Sequence, residues 1–113
     1  MHIDSYEFGR IVVDGRTFTQ DIILWPDRIQ ASWWRQQGHL LQLADIPEII
    51  KEKPEVLIVG QGQPGKMQVD PELARTLHSL GIQVLAVPTA EACRLFNSLA
   101  GQRQVAAALH LTC

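Results

Sequence analysis

One pattern limits the folds open to this chain more than any other. A wholly apolar run, Val56-Leu57-Ile58-Val59, is followed by two further mainly apolar runs at residues 82–87 and 105–111. Helical spacing lies between them. Leu73, Leu77 and Leu80 fall at i, i+4 and i+7, and Ala92, Leu95, Phe96 and Leu99 repeat the stripe further on. Short apolar runs of this kind read as strands buried on both faces. A β-α-β-α-β alternation implies a largely parallel sheet with right-handed crossovers. The punctuation agrees. Asp70-Pro71 is a helix start, with Asp at the N-cap and Pro at the first position. Gly81 is a stop, Thr89 is read as the cap of the next helix, and Gly101 as its end.

The first third reads as β-rich. Residues 2–7 alternate polar and apolar, and Ile11-Val12-Val13 runs into Asp14-Gly15, a hairpin turn signal. Thr17-Phe18-Thr19 opens the return strand, and Ile22-Ile23-Leu24 either continues it or begins another. Trp25-Pro26-Asp27 breaks the chain. Residues 28–34 are read as one more strand, with Ile29, Ala31 and Trp33 on one face. Residues 45–51 are read as a short helix with Pro47 in its first turn and Pro54 as its stop.

At 113 residues the chain is read as one domain spanning residues 1–113, long enough to bury a core without staples. Its net charge of −2 offers no basic footprint for nucleic acid. No apolar run approaches the roughly 18–20 residues of a membrane span. The opening MHIDSYEF carries two acids and no apolar leader core. Cys93 and Cys113 form no C-x-x-C pair, which fits free thiols in a reducing interior. A cytoplasmic location is therefore expected.

After the first apolar run comes Val59-Gly60-Gln61-Gly62-Gln63-Pro64-Gly65-Lys66-Met67. It spells both G-x-G-x-x-G and G-x-x-x-x-G-K, the letters of two phosphate-binding loops. The context argues against both. A dinucleotide loop needs its third glycine to open a helix, but four residues intervene before Asp70. Pro64 removes an amide donor, and the next strand ends in Val87-Pro88 rather than an acid. A P-loop needs Ser or Thr after the lysine, and Met67 stands there. The expectation is a glycine-rich strand-to-loop turn, with anion, ligand or partner binding as the alternatives.

Other chemistry is thin. His110-x-x-Cys113 has half the spacing of a zinc site, with only His39 and Cys93 as further donors; no metal and no cofactor are expected. His110 and Cys113 could also pair as imidazole and thiol, against the simpler reading of a strand end packing His110 on the core. In α/β sheets ligands gather at the carboxyl edge. A rim of Gly60, Gly62, Gly65 and Thr89 is expected there, joined by His110 and Cys113 if the last strand is parallel. Trp34, Arg35 and His39 are read as an exposed aromatic and basic patch for a partner, against burial of both tryptophans between layers.

The chain resembles the Mth938-like domain family, a domain of unknown function. The resemblance rests on Val56-Leu57-Ile58-Val59-Gly60-Gln61-Gly62, Gly81-Ile82, Thr89-Ala90-Glu91-Ala92, Phe96-Asn97-Ser98-Leu99 and His110-Leu111-Thr112-Cys113. In the first third Phe8-Gly9, Gly15, Trp25-Pro26, Trp34-Arg35 and His39 fit the same family. The resemblance implies an α/β sandwich of three layers. A mixed central sheet has helices on one face and a β-hairpin plus helix on the other. The family sheet includes an antiparallel strand, which leaves open whether His110 shares the loop's edge. No reaction is assigned to the family, and its G-x-G carries no nucleotide role. Its animal members include an adipogenesis-associated protein and an assembly factor for respiratory complex I. The functional expectation is a non-catalytic interaction or assembly module with a protein partner and no nucleic acid or membrane, self-association remaining open. The alternative is a small-molecule or anion-binding protein, or an enzyme, using the rim.

Overall fold

The computed structural model describes residues 1–113. Three strands come first: β1 (Ile3–Glu7), β2 (Arg10–Val13) and β3 (Arg16–Phe18), an antiparallel meander. Asp14 and Gly15 take φ of 48° and 77°, the two left-handed residues that a tight hairpin turn requires. Ile22–Leu24 is a new strand, β4, and it enters a different sheet. Then follow β5 (Ile29–Gln30), β6 (Leu40–Leu41), α1 (Pro47–Glu52), β7 (Val56–Gly60) and β8 (Gln68–Val69). The chain closes with α2 (Pro71–Ser79), β9 (Gln83–Val87), α3 (Thr89–Leu99) and β10 (Val105–Leu109).

The central sheet runs β5-β4-β10-β7-β9. β9, β7 and β10 are parallel, as the alternation of elements requires; β4 runs against β10, and β5, antiparallel to β4, returns to the common direction. β7 and β10 are buried along their whole length. Their side chains therefore divide between two cores. Val56, Ile58, Ala107 and Leu109 join Phe96 of α3 and Ile11 and Val13 of the meander. Leu57, Val59, Ala106 and Ala108 join Ile49 of α1, Leu73 and Leu77 of α2, and Trp33. Full burial of Phe96 alone contributes roughly 2–3 kcal/mol. The three layers are thus α1 and α2, the mixed sheet, and α3 with the meander. No helix is long and apolar enough to cross a membrane.

Four local readings differ from the structure. The run at residues 82–87, read as a strand buried on both faces, forms the edge strand β9, whose residues are exposed or half-buried because β7 covers it on one side only. The strand expected over residues 28–34 ends at Gln30. Ser32 turns to φ 53°, Ala31 is exposed, and the Trp33 amide leaves the ladder to donate to the Asp21 carbonyl at 2.8 Å. The last strand stops at Leu109, because the Leu111 amide donates to the Asp21 carboxylate instead. Asp70 does occupy the N-cap of α2, but its side chain makes no capping bond; Pro71 at the first position sets that start. The two-residue parallel pair β6–β8 has no local signature in the sequence.

Candidate functional site

Parallel pairing of β7, β9 and β10 brings their carboxyl ends to one edge. His110 therefore shares that edge with the 60–65 loop and with Thr89. Thr89 is not the helix cap. Pro88 holds that position and Thr89 is the first helical residue, fully buried. Its hydroxyl donates to the His110 carbonyl at 2.5 Å and accepts from the Gly62 amide at 2.8 Å. One side chain thereby ties the ends of three segments together.

The glycines follow from this closeness. A Cβ at Gly60 would lie 2.9 Å from Leu109 Cδ2 and 3.0 Å from Thr89 Oγ1. Gly62 has φ 91°, and its Cβ would meet the Thr112 carbonyl oxygen at 2.2 Å. The amides of Gln61, Gly62, Gln63 and Met67 are engaged within the protein. Gln61 donates to the Val87 carbonyl, Gln63 to that of Thr112 and Met67 to that of Gln61. A phosphate loop converges its amides on an anion; here they close a turn. Gly60, Gly62 and Thr89 are buried in this knot, whereas Gly65 and Cys113 are half-exposed. The largest cleft, about 480 Å³, opens at the opposite edge against Trp25, Arg28, Glu52 and Gln104. Thr89→Val keeps the shape and strands both partners of the hydroxyl. It is expected to cost about 2–3 kcal/mol, read as a fall in melting temperature of roughly 10 °C by circular dichroism.

Beside the knot lies an ionic cluster. The Asp21 carboxylate accepts from Arg35 Nη1 and from His110 Nδ1, both at 2.8 Å, and from the Leu111 amide at 2.8 Å. A carboxylate held by Arg35 can only accept, so the His110 ring carries its proton on Nδ1. Arg35 Nη2, 3.1 Å from Nδ1, is then a second donor beside it. His110 Nε2 is buried without a partner, and His39 stands edge-on to the ring at 5.9 Å. Burial pushes the Asp21 carboxyl up. The bonds from His110, the Leu111 amide and Arg35 outweigh that and leave it below the usual carboxylate range.

The expected patch of Trp34, Arg35 and His39 divides. Arg35 is not surface: its side chain is 5% exposed. It donates to the Gly38 carbonyl and lies 4.7 Å over the Trp33 ring. The half-buried anion Asp21 draws it inward. Trp34 is 83% exposed beside a buried Trp33, and His39 is exposed. Trp33 is anchored through its indole N–H on the Asp45 carbonyl at 2.9 Å, and the Gln36 amide on the Asp45 carboxylate at 3.2 Å. Trp34 thus projects from a backbone held on both sides.

Asp21 is the residue that sequence reasoning passed over. Between Gln20 and Ile22 it looks like a turn acid, and its partners lie 14 and 89 residues away. The thiols differ from one another. Burial pushes Cys93 up to about 12, which leaves it without thiolate character. No three His, Cys, Asp or Glu side chains converge as a metal site would need.

A family model described as a protein of unknown function (DUF498/DUF598) matches residues 3–110. The chain belongs to that family. Solved structures agree with it across the whole fold. The conserved hypothetical protein PH1505 from Pyrococcus horikoshii is 29% identical, with all of both chains covered and a TM-score of 0.85. A protein from Bordetella parapertussis is 31% identical over 97% of this chain and 94% of its own, with a TM-score of 0.83. A Bordetella pertussis protein described as a Mth938-like domain is 27% identical over 97% of this chain and 85% of its own, with a TM-score of 0.71. In this DUF498/DUF598 domain the residues that carried the resemblance have structural work. Gly60, Gly62, Thr89 and His110 form the knot. Asn97 pins β1 to α3, its amide accepting from and donating to the Ile3 backbone at 2.9 Å each way.

Proposed function

We propose that this domain is an interaction or assembly module that engages a protein partner through Trp34. The observation that carries the reading is a tryptophan 83% exposed on a backbone fastened by a buried ionic cluster. Tryptophan is enriched where binding energy concentrates, and a pinned backbone lowers the ordering cost of using it. Phe8, also exposed, heads the turn whose Gly9 amide donates to the Leu111 carbonyl at 2.8 Å. It is tied to the same terminal segment as the cluster. A cytoplasmic setting goes with this proposal.

The rim as an anion or small-molecule site draws less support, because the amides of Gln61, Gly62, Gln63 and Met67 are engaged and the main cleft opens at the far edge. Trp34→Ala is expected to lower recovery of the partner at least tenfold in quantitative affinity capture from source cells. The melting temperature should stay within about 1–2 °C of the parent, since an exposed side chain contributes little to stability. An unchanged set of captured proteins, or a large loss of stability, would overturn the proposal.

A further inference from the structure

β-sheet edges invite pairing, and proteins blunt them with charge, proline, bulges or short strands. Most edges here are blunted. β1 carries Asp4 and Glu7 and has the Ile3 backbone taken by the Asn97 amide. β3 is three residues long and opens with Arg16; β5 is two residues long. β9 is the exception. Gln83-Val84-Leu85-Ala86-Val87 has no charge and no proline, and its pairing with β7 runs in register without a bulge.

The phase of that pairing shows which groups point outward. The Gln83 amide donates to the Glu55 carbonyl, and the Val87 carbonyl accepts from the Gln61 amide. In a parallel ladder alternate residues bond the same neighbour, so Gln83, Leu85 and Val87 face β7. Val84 and Ala86 present their N–H and C=O groups to the free edge. Ala86 is exposed there, and Val84 and Leu85 are only half-buried.

We infer that β9 pairs antiparallel with β9 of a second copy of this chain, about a two-fold axis at Leu85. The register is self-complementary. Val84 of one copy faces Ala86 of the other, and each pair exchanges two N–H···O bonds, four in all. Leu85 meets its symmetry mate in the close, non-bonded position, where side chains pack best. An uncharged strand places no like charges opposite one another, and the two sheets become one of ten strands. β9 lies three strands, roughly 14 Å, from β4, the strand that follows Asp21.

Ala86→Pro tests this cleanly. The Ala86 N–H has no partner within the chain, so proline removes no internal bond while blocking the edge. Sedimentation velocity over a dilution series should give a dimer for the parent and for Ala86→Ser, which keeps the N–H. Ala86→Pro should weaken the dimer more than tenfold. Should that variant misfold, hydrogen exchange on the parent decides. The Val84 and Ala86 amides should be protected when concentrated and exchange on dilution. A parent that is monomeric throughout, a dimer that survives Ala86→Pro, or protection that appears only with a strand from another protein would overturn the inference.

Discussion

Gly62→Ala is expected to destabilise the protein by more than about 4 kcal/mol, a large share of the 5–15 kcal/mol typical of a domain. Two effects add. The residue sits at φ 91°, where a Cβ costs of order 1–2 kcal/mol. The Cβ would also meet the Thr112 carbonyl oxygen at 2.2 Å and His110 Cδ2 at 2.8 Å. The first of these is backbone and cannot rotate away. Relief requires moving the loop from the terminal segment, which breaks the Gly62–Thr89 and Gln63–Thr112 bonds together. Gly15→Ala is the control. It shares a positive φ of 77° but meets nothing within 4 Å, so only the conformational cost of about 1 kcal/mol applies. Urea denaturation of both variants separates clash from strain. Equal midpoints for the two would refute the close approach at Gly62.

Asp21→Ala should cost about 3–5 kcal/mol, because it leaves the Arg35 guanidinium buried without its counter-ion. The Leu111 amide and His110 Nδ1 lose an acceptor in the same step. Asp21→Asn should also be strongly destabilising despite its shape, since the amide N–H₂ would oppose donors. Acid provides an independent check. The folded carboxyl lies below its unfolded value of about 3.9. Its stabilisation is therefore complete above that value and is lost as pH falls through the folded pKa. Unfolding free energies at neutral pH and near pH 3 should differ more for the parent than for Asp21→Ala. Parallel curves would mean that Asp21 is not the group responsible.

Much of the architecture was legible because it follows from local rules. The apolar runs and the stripes at helical spacing mark β7, β9, β10, α2 and α3. Asp14-Gly15 marks the hairpin, since its turn needs two left-handed residues. The glycine loop could be read as a turn because phosphate binding demands a helix directly after it, and Asp70 comes too late. The candidate site was legible only in part. Thr89, Gly62 and His110 could be placed on one rim, but their joint hydrogen bonding depends on three strand ends meeting. Arg35 looked like a surface cation because its counter-ion, Asp21, carries no pattern of its own.

The sequence by itself therefore determined the order and kind of the longer elements, the two-sided burial of β7 and β10 and the position of the main turn. Each depends on residues within a few positions of one another, through backbone sterics and side-chain periodicity. Only the tertiary structure decided that Trp33 is buried while Trp34 is exposed, that the Thr89 hydroxyl bridges rather than caps, and that Asp21 gathers Arg35 and His110. It alone left β9 as the open edge. These outcomes belong to segments distant along the chain, and which of them meet is settled by how the two cores close on the sheet.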